Sequence, residues 1–200
     1  MQGSVTLKDG NNNAFLVSVA KDAAGSFIPA QCQEGVKATY ALGVAPFSPA
    51  ATPTDIVTLQ GSATMTVRLL QVAVFGLATT AGSIDVALIL RSAANTGGTS
   101  TIPTGVKLDQ NDLAASAVVT QYSANPSALG TALGTIDWQL LNLGVAGAWG
   151  QVLFNFGLNL GRAVVLRGPS QWLAVNLNGD AVPSGGKVGY ALLWTEESLT

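Results

Sequence analysis

Apolar side chains in this sequence return at every second position, not every third or fourth, and that period restricts the chain to sheet. Ile84, Val86, Leu88 and Leu90 share one face of a run whose other face carries Asp85, Ala87, Ile89 and Arg91. Val188, Tyr190, Leu192 and Trp194 repeat the step, as do Leu173, Val175 and Leu177 against Trp172, Ala174 and Asn176. Such alternation lays one face of an extended strand on a core and leaves the other mixed. Further runs of strand character span residues 55–60, 64–77, 113–122, 136–143, 152–156 and 163–167. Turn-forming clusters separate them: Thr80-Ala81-Gly82, Asn95-Thr96-Gly97-Gly98, Asn125-Pro126, Asn178-Gly179-Asp180 and Pro183-Ser184-Gly185-Gly186. About eight strands after residue 50, with no convincing amphipathic helix, predict an all-β, antiparallel jelly-roll sandwich. An immunoglobulin-like sandwich is the rival, disfavoured by long strands and the lack of a Cys-Trp-Cys framework.

Some runs are apolar on both faces, notably Val67 to Phe75, Leu140-Leu141 with Leu143, and Leu192-Leu193-Trp194. An antiparallel sandwich buries one face of each sheet, so the surplus predicts burial against a second copy of the chain. The start of the chain reads differently. Val5-Thr6-Leu7-Lys8-Asp9-Gly10 has hairpin character and leads through Asn11-Asn12-Asn13 into Ala14-Phe15-Leu16-Val17. Phe27-Ile28-Pro29 follows, and then Pro46, Pro49 and Pro53 crowd a short stretch. Proline at that density favours extended chain without donors, which places a boundary at 45–53. The expected division is an extended N-terminal arm over residues 1–50 and a jelly-roll domain over 51–200. The arm gains its order from a neighbour, or supplies a strand or two to its own sandwich.

Charge and residue inventory exclude most chemistry. Only 10% of the residues are Asp, Glu, Lys or Arg, against about 25% in average soluble proteins. Nine basic residues, scattered singly in a chain of net charge −2, argue against a nucleic-acid partner. There is no His, which removes the commonest general base and metal ligand together. The single Cys32 excludes an internal disulfide and a Cys-based metal cluster, and reads as a small buried apolar residue. Mean hydropathy is +0.39, yet uninterrupted apolar stretches are far shorter than the roughly 18 residues a membrane helix needs. The first residues lack the basic-then-apolar order of a signal peptide.

Motif searches fail for stated reasons. Gly185-Gly186-Lys187 is followed by Val188, and Ala181 stands where a phosphate loop needs its leading Gly. Gly168-Pro169-Ser170-Gln171-Trp172 puts Trp where a nucleophile elbow needs its second Gly. Asp109, Asn111 and Asp112 form a dense oxygen cluster but lack the Gly and Glu of a calcium loop, and read as a solvated loop. Asn125-Pro126-Ser127 fails as a glycosylation site because of its central Pro. Glu196 and Glu197 are adjacent, so a strand points them to opposite faces and they cannot flank one glycosidic bond. No catalytic, cofactor-binding or metal-binding residue is assigned, and the chain is expected not to be an enzyme. Trp172 and Trp194 are expected in packing, and Trp149, in the Gly-rich loop 144–150, is the tryptophan expected to be exposed.

The runs from Pro53 to Thr64, Thr66-Val67-Arg68, Thr79 to Val86 and Arg91 to Ser100 together resemble small virion proteins of tailed bacteriophages. Ala163 to Gly168, Leu173 to Gly179 and the ending Trp194-Thr195-Glu196-Glu197 continue the likeness, which covers residues 53–197. It is a likeness of pattern and phrase, with no catalytic motif. The resemblance implies a jelly-roll subunit, commonly a homotrimer, on the outer surface of a phage head assembled in the bacterial host cytoplasm. There it acts as a capsid decoration or cement protein that stabilises the head by bridging major capsid proteins. The alternative is a tail-fibre, baseplate or head-fibre protein whose loops bind host-surface carbohydrate through Trp149, Asn95, Asn125 and Asn178. The expected trimer interface comprises Leu70, Val72, Val74, Leu140 and Trp194. The residues expected to attach to the capsid are Val5, Leu7, Phe15, Leu16, Phe27 and Ile28. Partners are thus the chain itself and a major capsid protein, with no nucleic acid, membrane or cofactor.

Overall fold

The structure is a computed structural model that describes residues 2–8, 14–21, 27–29, 37–145, 148–156 and 163–198, the first three stretches by backbone alone. The chain divides into two units, Met1–Lys37 and Ala38–Thr200. In the first, β1 (Gln2–Lys8) pairs antiparallel with β2 (Ala14–Lys21), from Gln2 opposite Ala20 to Lys8 opposite Ala14. β3 (Phe27–Pro29) adds to the other edge of β2.

The second unit is all-β. Its strands are β4 (Ala38–Phe47), β5 (Asp55–Gln60), β6 (Met65–Leu77), β7 (Gly82–Arg91), β8 (Ser100–Thr101) and β9 (Val106–Lys107). They continue as β10 (Val118–Tyr122), β11 (Ala132–Leu143), β12 (Gly150–Asn155), β13 (Val164–Arg167), β14 (Trp172–Asn176) and β15 (Lys187–Ser198). One sheet runs β11-β7-β14-β5-β10-β8 and the other β12-β6-β15-β4-β9, with β13 beside β6 beyond the end of β12. Their ladders are antiparallel, and no helix occurs among the described residues. The two sheets form a β-sandwich.

The alternation in the sequence is what closes it. Ile84, Val86 and Leu88 of β7 point inward with Leu173 and Val175 of β14. Opposite them stand Val188, Tyr190, Leu192 and Trp194 of β15, in register with Gly76, Val74, Val72 and Leu69 of β6. Tyr40 on β4 stacks on Trp194 with ring centroids 5.7 Å apart. Gly105 runs beneath the same indole, where a Cβ would come within 2.4 Å of a ring carbon. All these side chains are buried, so the interior is one continuous apolar layer between the sheets.

Three elements differ from the sequence expectation. β4 belongs to the sandwich: it pairs with β15 from Phe47 opposite Val188 to Ala38 opposite Glu196, so this sheet begins at residue 38 and not after residue 50. The prolines that read as a linker are compatible with this, because β4 lies next to the sheet's rim. Its outer neighbour β9 meets only Tyr40 and Ala41, which leaves the missing donor of Pro46 without consequence. The run expected over 113–122 is a strand only from Val118, and 136–143 is lengthened at its start to Ala132.

The sheet rims are all interrupted. β8 and β9 have two residues each, and β12 and β13 divide the outer edge of β6 between them. β11 is long but breaks register against β7 twice, between Ala132 and Gly134 and between Thr135 and Asp137.

Candidate functional site

Three of the residues expected at a trimer seam lie elsewhere. Val72, Val74 and Trp194 are core residues of a single chain, fully enclosed between its own sheets. The signal that misled is a register break: Leu193 stands opposite Gln71 and Trp194 opposite Leu69, so Leu70 is an extra residue in the ladder. That insertion shifts the inward phase of β6 by one and makes both alternating sets look apolar. Leu70 itself is half-buried. Leu140, the fifth, is 44% exposed on β11. The six residues expected to attach to a capsid fall on β1, β2 and β3, and the side chains of Val5, Leu7, Phe15, Leu16, Phe27 and Ile28 lie outside the described residues.

Exposed large hydrophobics are not spread over the sandwich. Among the described residues they fall within two stretches, 102–118 and 129–153. The first wraps the side of the sandwich where β9, β10 and β8 end the two sheets, and it presents Ile102 at 70% and Leu113 at 83% exposure. The second forms the other side, where β11 and β12 end them, and presents Leu133, Ile136, Trp138, Leu140, Trp149 and Leu153. On that side the two sheets are linked: Gln139 Nε2 donates to the Leu153 carbonyl at 3.0 Å. From Leu113 to Gly161 the sequence has one charged residue, Asp137. A monomer's surface rarely carries apolar contacts in this density without a use for them.

Buried polar groups hold the chain between β7 and β11, which carries the first of these sides. Asp55, at the head of β5, accepts hydrogen bonds from Arg91 Nε and Nη2 at 2.8 Å each, from Asn95 Nδ2 at 2.8 Å and from Asn176 Nδ2 at 2.6 Å. Arg91 Nη1 donates onward to the Gly130 carbonyl at 2.7 Å, and Gly130 N returns a bond to Asn95 Oδ1 at 2.8 Å. This clasp ties the start and end of the excursion between β7 and β11 to the sheet. Gly130 is required there, since a Cβ would stand 1.8 Å from the Ala93 carbonyl oxygen. At the end of β15, Glu196 turns inward and accepts from Ser116 N, Ser116 Oγ, Ala117 N and Trp194 Nε1. Tyr40 Oη donates to the Leu113 carbonyl at 3.0 Å, and Lys107 Nζ to that of Asp112 at 2.8 Å. The excursion carrying Leu113 is therefore pinned at several points and not loose. Glu197 faces the opposite way and pairs with Arg68 at the surface, as strand alternation requires.

No buried side-chain polar atom lacks a partner among the described residues. Asp109 Oδ1 accepts from Asn111 N and Nδ2, which closes that acidic loop on itself. Nor is there a group of three or more metal-ligating side chains among the described residues. The amides expected to meet carbohydrate are engaged internally. Asn95 belongs to the Asp55 clasp, Asn125 accepts from Thr54 N and donates to the Thr52 carbonyl, and Asn178 Nδ2 donates to Asp85. Asn178 also takes a left-handed conformation at φ 59°, which suits Asn in a turn before Gly179. Trp149 is 60% exposed and leans on Phe75 with centroids 5.2 Å apart.

Burial pushes the phenol of Tyr190 up from its ordinary range, and burial together with the nearby carboxylates of Glu196 and Asp112 pushes that of Tyr40 up. The folded chain then keeps protons that the unfolded chain releases near pH 10, so stability is intact below that pH and falls as it rises further. In an alkaline absorbance titration the phenolate signal of these two tyrosines should appear together with loss of the fold. Their ionisation while circular dichroism stays native would contradict this.

No protein-family model, curated protein or solved structure matches this chain.

Proposed function

We propose that this chain is a bacteriophage structural protein, a decoration or cement subunit on the outer surface of a head, bridging major capsid proteins and its own copies. The single observation that carries this reading is the placement of exposed apolar residues on two sides of a rigidly pinned sandwich. Such surfaces stabilise an assembly by burial, at about 25 cal/mol per Å², and call for no reactive group. The reading treats the protein as a non-enzyme for the same reason.

We further infer a jelly-roll topology. The first sandwich strand pairs with the last (β4 with β15), the second with the next from the end (β5 with β14), then β6 with β12 and β7 with β11. That nesting is what a long hairpin rolled around a barrel axis produces, and it supports the assignment. The unit Met1–Lys37 is the proposed attachment arm.

The test uses heads of the encoding phage that lack the protein. Added full-length chain should bind in saturable fashion to hundreds of sites and raise the temperature at which heads rupture. Deletion of residues 1–37 should leave the sandwich folded, with its melting transition within a few degrees of the full chain, and abolish head binding. Absence of binding by the full chain overturns the cement reading, and full binding by the truncated chain overturns the arm.

A host-recognition fibre is the second reading, favoured by the exposure of Trp149 beside Phe75. Sugar binding by the isolated protein, lost in Trp149→Ala, together with a few copies per particle, would select it over cement.

A further inference from the structure

We infer that residues 102–117 form a strap that opens and shuts as one piece over the edge of the sandwich core while both sheets stay folded, with Glu196 as its latch. The inference is independent of what the protein binds. The strap leaves the first sheet at β8, touches the second where β9 meets Tyr40 and Ala41, and rejoins the first at β10. It thus crosses the gap between the sheets on one side of the sandwich. Beneath it lie Tyr40 and Trp194, stacked on each other and buried.

What holds the strap differs from what holds the strands around it. Its large side chains face water: Ile102, Val106, Leu108 and Leu113 are all more than half exposed. The residues it turns towards the interior are small, Gly105 against the indole of Trp194 and Ala115 and Ala117 against the core cluster. The strap therefore adds little apolar burial of its own, and its ties to the second sheet are polar. Leu108 N donates to the Thr39 carbonyl at 2.8 Å, Tyr40 Oη to the Leu113 carbonyl at 3.0 Å, and Ser116 N and Ala117 N to the Glu196 carboxylate at 2.9 and 3.0 Å. A segment with few buried apolar contacts opens at a lower free energy than the core it covers. Glu196 makes the opening all-or-none. Its Oε1 accepts from both Ala117 N and Trp194 Nε1, so one carboxylate joins the returning end of the strap to the buried indole. Partial withdrawal takes donors from a carboxylate that is still shut away from water, whereas full withdrawal lets water replace them. The ends of the excursion stay fixed meanwhile, because the Asp55 clasp grips Arg91, Asn95 and, through Asn95, Gly130.

Residue-resolved hydrogen exchange on the full-length protein tests this. The amides of Leu108, Ser116 and Ala117 and the indole N–H of Trp194 should share one opening constant, at least about 10-fold larger than that of the amides of β6 and β14. Two variants then separate the strap from the core. Glu196→Gln should raise the shared constant about 10- to 100-fold, the worth of a charged acceptor. Ile84→Val, in the core on β7, should speed exchange in β6 and β14 about 3- to 10-fold and leave the strap's constant unchanged, since the core remains intact when the strap opens. Circular dichroism confirms folding. If Glu196→Gln does not fold, Tyr40→Phe takes its place, removing the tie to Leu113 alone, with an expected rise of about 3- to 10-fold. A strap that exchanges only at the rate of the core, and quickens with it in Ile84→Val, would show that it yields only with the whole fold and would overturn the inference. Separate constants for the four groups would overturn the single-piece motion, and an unchanged constant in Glu196→Gln would overturn the latch.

Discussion

Asp55→Ala is expected to cost the sandwich about 3–5 kcal/mol, a large part of a typical domain's total stability. The carboxylate is almost fully buried, and so is the guanidinium of Arg91 that it neutralises. Removing the anion strands a cation in the interior and frees amide donors of Asn95 and Asn176 at the same moment. The paired nature of the effect gives it a signature. Asp55→Leu combined with Arg91→Met should recover most of the loss, because a buried ion pair is often no more stabilising than apolar groups of similar size. Urea unfolding of the singles and the double measures the coupling. Amide exchange should also quicken across residues 92–131 in Asp55→Ala, since the clasp through Gly130 anchors that excursion. A cost below about 1 kcal/mol, the scale of a solvent-accessible surface pair, would mean that the clasp does not hold the excursion.

Trp194→Ala should be comparably severe, about 3–5 kcal/mol, through loss of buried area and the cavity left under Tyr40. Trp194→Phe separates packing from polarity. It keeps most of the ring and removes the Nε1 donor to Glu196, which still holds Ser116 and Ala117. A loss of about 1–2 kcal/mol is expected from that hydrogen bond and the smaller ring together. Thermal unfolding of the two variants, compared with the parent, checks the order. If Trp194→Ala were tolerated within about 1 kcal/mol, the residue would have to lie outside the core, and the inward phase assigned to β15 would be wrong.

The strands were legible in the sequence wherever alternation was clean. β5 was read at its observed limits, Asp55–Gln60, and β6, β7, β12, β14 and β15 within a few residues. What alternation cannot encode is a break in its own phase. The extra residue at Leu70 disguised core positions Val72 and Val74 as surplus surface, and drew Trp194 into the same error. Composition hid β4, because Pro46 looks like a linker until the strand beyond it is known to stop at Ala41. The clasp was invisible for another reason: Asp55 meets Arg91, Asn95 and Asn176 at separations of 36, 40 and 121 residues. No local pattern announces such a meeting. The β11–β12 side falls in the nearly uncharged span after Leu113, whereas the 102–118 side carries Lys107, Asp109 and Asp112 and has no such signature, and their opposition depends on strand order.

The broken rims of the two sheets have a bearing on how such a protein survives being made in quantity. A passing strand that tries to zip onto β8 or β9 runs out after two residues, and on β11 it meets a kink. Those rims therefore offer only a short template to a strand from another molecule, which disfavours edge-to-edge pairing there.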